Sequence, residues 1–430
     1  MTRPFVNWAR NVRSAPRAWA APPNEADVVS LVQQTRARGG RLRVCGSRHS
    51  WSPLAASDDV QVELSGLSDV VSVDVDRQTV TVQGGCTLRT LNEALGRHGL
   101  AMPILGSITE QAIAGAVATG THGSSLRHGN LASLIQGLRL VDGRGELVEI
   151  GPDDPRLPGA RVHLGALGVI TEVTLGVDRA FGLVETRTRL PLDEAADALA
   201  TLSATHEYVK VWWLPPCDDV LVTTYRRTNE PVARSRVEAV WERVANATVF
   251  PALLGAGGAI PALIPSIMRL VDRVHFLPGT RSGKSAEMFT LVMPPRHQET
   301  ELAFDSAHAG EALRAMRDLV RASGVRLDFL SELRFVKGDH NWMSPAYGRD
   351  TCQLGMYATH SPDIPRAFAA FRELGRAWDA RPHWGKSFET TPEEIDALYP
   401  RASDFRTLAA DLDPDRVFRN PFVDSILGAP

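Results

Sequence analysis

Residues 106–125 read GSITEQAIAGAVATGTHGSS. Gly106, Gly115, Gly120 and Gly123 are interleaved with four alanines and several hydroxyl side chains. Small residues let backbone N–H groups come close to a ligand, and a concave run of such groups suits a pyrophosphate. A Gly/Ala helix packed tightly on a sheet has the same composition and stands as the alternative. The stretch is not a GxGxxG dinucleotide fingerprint, and it lacks the GK[ST] of a Walker loop. Gly84–Gly85, after a strand-like TVTVQ run, and LGALGVITEVTL at 164–175 add two further close approaches. Three glycine-rich turns in one half of the chain fit an extended ligand, such as a dinucleotide, better than a single phosphate.

The chain around this stretch has 430 residues, more than one hydrophobic core usually serves, so two domains are expected. An apolar fraction of 43% and a charged fraction of 23% describe an ordinary globular composition. The net charge of −3, with no long basic block, argues against nucleic acid as a partner. Cys45, Cys86, Cys217 and Cys352 form no CxxC pair, so a disulfide framework or a structural zinc site is not expected. A reducing, cytoplasmic setting fits them, and the N-terminus lacks the apolar core of a signal peptide.

Ala247–Met268 carries no charge for 22 residues, enough to suggest a membrane span. Pro251, Pro261 and Pro265, with Gly255, Gly257 and Gly258, would interrupt such a helix repeatedly. The segment is therefore read as part of a cap or a substrate mouth, with weak peripheral membrane contact through 247–268 as the alternative.

The first 178 residues alternate short apolar runs with turn residues: RLRVC, VQVEL, TVTV, GLRLV, ELVEI, VITEVTL. This predicts many short strands and few helices. One helix is expected from Asn24–Asp27 to Gly39–Gly40, and a second from Thr87 or Thr90 to Gly99, where Thr90 and Glu93 have capping-box spacing. After about Asp178, longer strand patterns suggest a different sheet (RAFGLVETRTRL, YVKVWWLPP, DDVLVTTYRRT), with helices at 234–246, 309–323 and 364–379. VRLDFLSELRF (325–335) again alternates like a strand.

Three constellations could carry chemistry. GSRHSW (46–51) places His49 on a turn after a strand, where it could be a base, a metal ligand, a covalent anchor or a packing residue. Glu332 and Arg334, two apart on a strand, share a face; a surface ion pair worth under about 1 kcal/mol is the plain alternative. RPHWGK (381–386) sets two aromatic rings and a glycine before Lys386, able to hold its ammonium in a partly dry place. No HExxH or paired i,i+4 histidines appear among the twelve, so no metal site is expected. There is no GxSxG elbow. SGKS at 282–285 lacks the preceding glycine frame of a phosphate loop.

GSRHSW, VATGTHGS (117–124), LGALGVI (164–170), SPAYGRDT (344–351), RPHWGK and LDPDRVFRNPF (412–422) occur in this order. Together they resemble the vanillyl-alcohol-oxidase-type (PCMH-type) FAD-linked oxidase superfamily. More narrowly, they resemble its aldono-1,4-lactone oxidase (gulono- and arabinono-lactone oxidase) and alditol oxidase branch, over essentially the whole chain. The resemblance implies an α+β, two-domain fold with an α+β cap over the flavin. It divides the chain into an FAD-binding domain at 1–178, a cap or substrate domain at 179–385, and a tail at 386–430 returning to the first domain.

The resemblance further implies FAD bound covalently through His49, although Arg48 stands where the family usually has glycine and a noncovalent flavin is the alternative. It places Val44, Cys45, Gly46, Ser47, Arg48, His49 and Ser50 around the cofactor, with Ser107, Ala112, Gly115, Thr119, Gly120, Thr121 and His122, and Ile170 on the adenosine side. Glu332, Arg334 and Lys386 correspond to the catalytic polar residues, and Ser107 and Tyr357 join them at the substrate. Tyr357 and Gly355 replace a threonine and a histidine of the alditol oxidases.

The implied reaction is oxidation of a carbinol, with a hydride leaving for flavin N5. Lys386 or Arg334 would stabilise charge at the flavin N1–C2=O edge, worth roughly 4 kcal/mol at about 4 Å and an effective dielectric near 20. Glu332 would orient Arg334, accept a substrate hydroxyl, or act as base. Gly106, where some lactone dehydrogenases keep an oxygen-blocking alanine, points to dioxygen as acceptor and hydrogen peroxide as product. VKVWWLP (209–215) leans towards an aldono-1,4-lactone substrate, gulono- or arabinono-lactone, with alditols such as xylitol or sorbitol as the alternative. A non-catalytic flavin- or carbohydrate-binding protein would not need Glu332, Arg334 and Lys386 together.

Overall fold

The computed structural model describes residues 3–230 and 232–428. After a two-stranded antiparallel pair (Phe5–Val6 with Arg13–Ser14) comes a small parallel sheet: β1 (Ala18–Ala20), β2 (Leu42–Cys45) and β3 (Val60–Glu63), in the order β1-β3-β2. Its connecting helix α1 (Glu25–Ala37) is capped by the Asn24 side chain, which accepts from the Asp27 N–H. A five-stranded antiparallel sheet follows, built from β4 (Val70–Asp74), β5 (Thr79–Gln83), β6 (Ile135–Val141), β7 (Leu147–Ile150) and β8 (Val169–Gly176), ordered β7-β6-β8-β5-β4. Helix α2 (Leu88–Arg97) and the short α3 (Ile113–Ala118) pack on it. The cap of α2 is Thr87, not Thr90: its hydroxyl accepts from the Thr90 N–H, and Gly99 ends the element with φ +66°.

The second half is an eight-stranded sheet. Its strands are β9 (Gly182–Pro191), β10 (Tyr208–Trp213), β11 (Asp219–Thr228), β12 (Gly279–Lys284), β13 (Gln298–Asp305), β14 (Ser331–Val336), β15 (Thr351–Ala358) and β16 (Arg381–Pro382), ordered β12-β9-β11-β10-β14-β15-β13-β16. Successive side chains of a strand point to opposite faces, so each strand divides between two surroundings. On one face Val209, Val211 and Trp213 join Leu302, Phe304, Leu333, Phe335, Leu354 and Met356 in a core under α4 (Leu192–Thr205), α8 (Ala309–Ser323) and α9 (Ile364–Arg376). The other face carries the intervening residues: Lys210, Trp212, Glu299, Glu301, Glu332, Arg334 and Tyr357. These are buried as well.

Two expectations are corrected. Only Ser331–Val336 of the 325–335 run is strand, because the buried Asp328 carboxylate turns aside to accept the N–H groups of Thr359 and His360 at 2.7 Å each. The apolar run 247–268 is helical in spite of its prolines. Helix α5 (Arg236–Val244) leads through a π turn into α6 (Phe250–Ala259), and α7 (Ile264–Val274) follows a single 3-10 turn. Pro251 follows a π turn inside a continuous helical run, whereas Pro261 comes directly after Ile260 has left the helix and begins the 3-10 turn, with Pro265 just beyond it in the first turn of α7. No helix among the described residues is long and apolar enough to cross a membrane.

The tail folds back onto the parallel sheet. Buried Arg43 on β2 donates to the carbonyls of Leu54, Leu164, Gly165 and Phe418, tying three separate segments to one side chain. The Asn420 amide donates to the carbonyls of Pro53 and Ala56, at 3.0 and 2.8 Å.

Candidate active site

The turn after β2 is clasped from both sides. The Trp8 N–H donates to the Arg48 carbonyl at 2.8 Å, and the Asn7 amide donates to the Ser50 carbonyl at 2.9 Å. From the far end of the chain, the Gly385 carbonyl accepts the Trp51 N–H at 2.7 Å and the Trp384 carbonyl accepts the Ser52 hydroxyl at 2.7 Å. These bonds bring the 46–51 turn and the 381–386 loop together across more than three hundred residues. Arg48 takes φ +62°, a left-handed conformation that glycine adopts without strain. Its guanidinium lies 3.7 Å from Glu63.

A narrow cleft runs from this turn beside α3. Val44, Gly46, Ser47, Arg48, His49, Ser50, Ala112, Gly115, Thr119 and Ile170 line it, with Gly84, Gly165 and Gly168. The walls are close: a Cβ on Gly46 would lie 2.8 Å from the Ala112 methyl. Among the described residues, no backbone carbonyl accepts the N–H groups of Ser47, Arg48, His49 or Ser50. Five expected cofactor residues do not line this cleft: Ser107, Thr121 and His122 line a larger cavity, and Cys45 and Gly120 line neither. Cys45 is buried in a separate apolar cluster, its thiol pushed up to about 12 by burial, and Gly120 turns the chain behind the cleft with φ +69°.

His49 lines both this cleft and a second, larger cavity of about 360 Å³. Burial, with Lys386 nearby, holds the His49 imidazole down at about 4, against a smaller pull from Glu110, so it is neutral at physiological pH. The larger cavity gathers Ser107, Thr119, Thr121, His122, Glu332, Arg334, Tyr357 and Lys386. Gly106 lines it too; a Cβ there would press on the Thr121 methyl at 3.2 Å.

The charged floor of this cavity comes from strand register. Trp212, Glu332, Gly355 and Glu301 lie in one row across β10, β14, β15 and β13. The Trp212 indole donates to Glu332 Oε1 at 2.8 Å, and the Tyr357 hydroxyl donates to Oε2 at 3.4 Å. The Tyr357 ring leans over Gly355, where any Cβ would meet it at 2.7 Å, so the two departures from the alditol oxidase pattern are sterically linked. Arg334 approaches Glu332 at 3.4 Å but is oriented by Glu301, to which Nη2 donates at 3.1 Å. His122 Nε2 meets the same Glu301 at 2.7 Å. Lys386 pairs with Glu299, lies 3.7 Å from Glu301, and sits 4.4 Å over the Trp51 ring.

Glu299, Glu301, Trp212 and His297 were not anticipated as site residues. HQETEL (297–302) carries the same two-residue spacing that drew attention to Glu332 and Arg334. Burial, together with the neighbouring Glu301 carboxylate, pushes Glu299 up to about 7, while Lys386 and Arg334 pull against that rise. Against the same cost of burial, Arg334 and His122 hold Glu301 well below the usual carboxylate range. Glu299 Oε1 is buried without a hydrogen-bond partner, and the residue lines the cavity.

Residues 16–151 match an FAD-binding domain, and residues 173–426 match the D-arabinono-1,4-lactone oxidase family. An L-gulono-1,4-lactone dehydrogenase of Mycobacterium tuberculosis is 32% identical over 428 residues, covering 99% of both chains. An alditol oxidase of a Streptomyces species is 31% identical over 444 residues, covering 99% of this chain and 100% of its own. Among solved structures, a cholesterol oxidase from B. sterolicum superposes with a TM-score of 0.82 at 17% identity, over 99% of this chain and 96% of that one. That last likeness concerns the fold.

Proposed function

Because the chain belongs to the D-arabinono-1,4-lactone oxidase family and is an FAD-dependent oxidoreductase acting on a CH–OH group, we propose that its substrate is an aldono-1,4-lactone oxidised on the charged floor of the larger cavity. Alditol oxidation is the second reading; the Tyr357–Gly355 pair, which fills the place of the alditol oxidases' polar pair, weighs against it. The observation that carries the reading is one cavity joining His49 to Glu299, Glu332, Arg334 and Lys386.

The cleft residues fit a dinucleotide. Small side chains let the backbone approach, and the uncommitted N–H groups of Ser47–Ser50 are donors for an anionic bridge. Residues 1–178 with the tail from 386 would hold FAD, and residues 179–385 would cover the substrate. When bound, FAD supplies the acceptor for the hydride leaving the carbinol carbon.

The rest is the work of the chain. Glu332, pinned by Trp212 and Tyr357, accepts a hydrogen bond from a second hydroxyl of the substrate, next to the one that reacts. Glu299, with a free Oε1, takes the hydroxyl proton as the C=O bond forms. Arg334 and Lys386 offset most of the charge of the buried carboxylates Glu299, Glu301 and Glu332, and place their cations beside the reacting centre. Neutral His49 has the protonation state that a covalent tether to the flavin requires. Gly106 leaves room for dioxygen to accept the electrons afterwards.

Anaerobic addition of L-gulono-1,4-lactone, D-arabinono-1,4-lactone, xylitol and sorbitol to the oxidised protein tests the reading. A lactone bleaches the yellow colour fastest; no bleaching by any of the four refutes it. Acid precipitation of the same protein leaves the colour in the pellet if His49 is the tether, and releases it from His49→Ala.

A further inference from the structure

Away from the floor, the larger cavity changes character. Towards the cap its wall is Leu214, Leu254, Met268, Val271, Phe276 and Phe329, contributed by the strand ends and by α6 and α7. Some polar side chains on this flank are engaged with one another, while Arg187 Nε, Glu238 Oε2 and His275 Nδ1 are buried without a hydrogen-bond partner. Arg187 and Arg281 both face Glu185, Arg281 also meets Glu242, and the Asn246 amide donates to the Val292 carbonyl at 3.0 Å. His275 packs edge-on against Phe250 and Phe276, at 4.7 and 5.2 Å between ring centres.

The apolar lining does not stop at the mouth. Trp241, Val274 and Leu277 line the cavity and are also 46%, 51% and 48% exposed. On α5, Val237, Val240, Trp241 and Val244 recur at i, i+3, i+4 and i+7, and all four are exposed. An apolar stripe at helical spacing normally turns inward to a core. Here it continues the cavity wall outward to solvent.

A lactone or polyol carries a hydroxyl on nearly every carbon. Each one moved against such a wall loses its water hydrogen bonds and gains none. A methylene moved to the same place gains from burial. The floor concentrates the polar partners at one end of the cavity.

We infer that the site takes an amphiphilic alcohol: a hydroxylated head whose CH–OH rests on Glu332 and Glu299, carrying an extended alkyl or alicyclic tail along the α6–α7 wall towards the α5 stripe. The inference rests on the carbinol-oxidation reading but departs from its lactone substrate, since an unsubstituted lactone would leave the α6–α7 wall unfilled.

A series of straight-chain primary alcohols from butanol to dodecanol tests it, with L-gulono-1,4-lactone and xylitol alongside, by anaerobic flavin reduction in the holoenzyme. The second-order rate constant should rise roughly fourfold per methylene until the chain reaches the rim. In Val271→Asn the gain per methylene falls towards one. If that buried change prevents folding, Val274→Glu combined with Leu277→Glu, on half-exposed positions, should cut the gain for the longest alcohols. A lactone or xylitol reaction with rates flat along the alcohol series overturns the tail while leaving carbinol oxidation standing. Failure of every alcohol and polyol to reduce the flavin overturns both.

Discussion

The narrow cleft and the charged floor meet at His49 but are built of different material. The cleft is a backbone construction: glycines, alanines and uncommitted N–H groups, shaped by what side chains leave out. The floor is a side-chain construction, in which Glu299, Glu301, Glu332, Arg334 and Lys386 compensate one another in a buried space. In the cleft, shape is spread over many small contacts. On the floor, removing one charge exposes its partners, and an unpaired buried charge is costly.

The comparison predicts unequal responses to mutation. Lys386→Met should be the most severe. It removes a cation near the reacting centre, worth roughly 4 kcal/mol, and flavin reduction should fall by about three decades in stopped-flow mixing. Reduction at the wild-type rate would remove Lys386 from the floor. Trp212→Phe keeps the packing and deletes one donor to Glu332, so reduction should slow by roughly tenfold. An unchanged rate would mean that Glu332 is held by other groups. In the cleft, Arg48→Gly relieves a left-handed arginine but adds backbone entropy to the unfolded chain. Thermal melting should therefore show a stability change within about 1 kcal/mol, with the flavin retained. A loss of several kcal/mol would make Arg48 a structural element of the turn.

The same difference explains what was legible beforehand. The cleft could be read from one sequence because close backbone approach demands small residues, and these stand out as runs such as GSITEQAIAGAVATGTHGSS. Glu332 and Arg334 were visible as a strand pair. Their real partners were not. Glu301, which orients Arg334, and Trp212, which fixes Glu332, become neighbours only through strand pairing across β10, β14, β15 and β13. The alternation in HQETEL marks a strand face, but which cations would stand opposite depends on the assembled sheet. The 247–268 run, read as part of a cap or substrate mouth, lines the larger cavity; what the pattern did not show is that the helix carries on past Pro251 by way of a π turn and breaks only at Ile260. Asp328 ended the preceding strand pattern through contacts with residues 359 and 360, which no local pattern reveals.

The most direct test is the pH dependence of anaerobic flavin reduction by a bleaching substrate, in the wild type and in Glu299→Gln. A carboxylate raised to about 7 carries a proton below that pH and cannot take another; above it, the group is free to do so. Wild-type reduction should therefore climb as pH rises through about 7 and then level off. Glu299→Gln should be slower by roughly two decades or more and lose that rise. A profile near pH 7 that is the same in both proteins would contradict the assignment of Glu299 and, with it, the account of the floor as the place where the hydroxyl proton is removed.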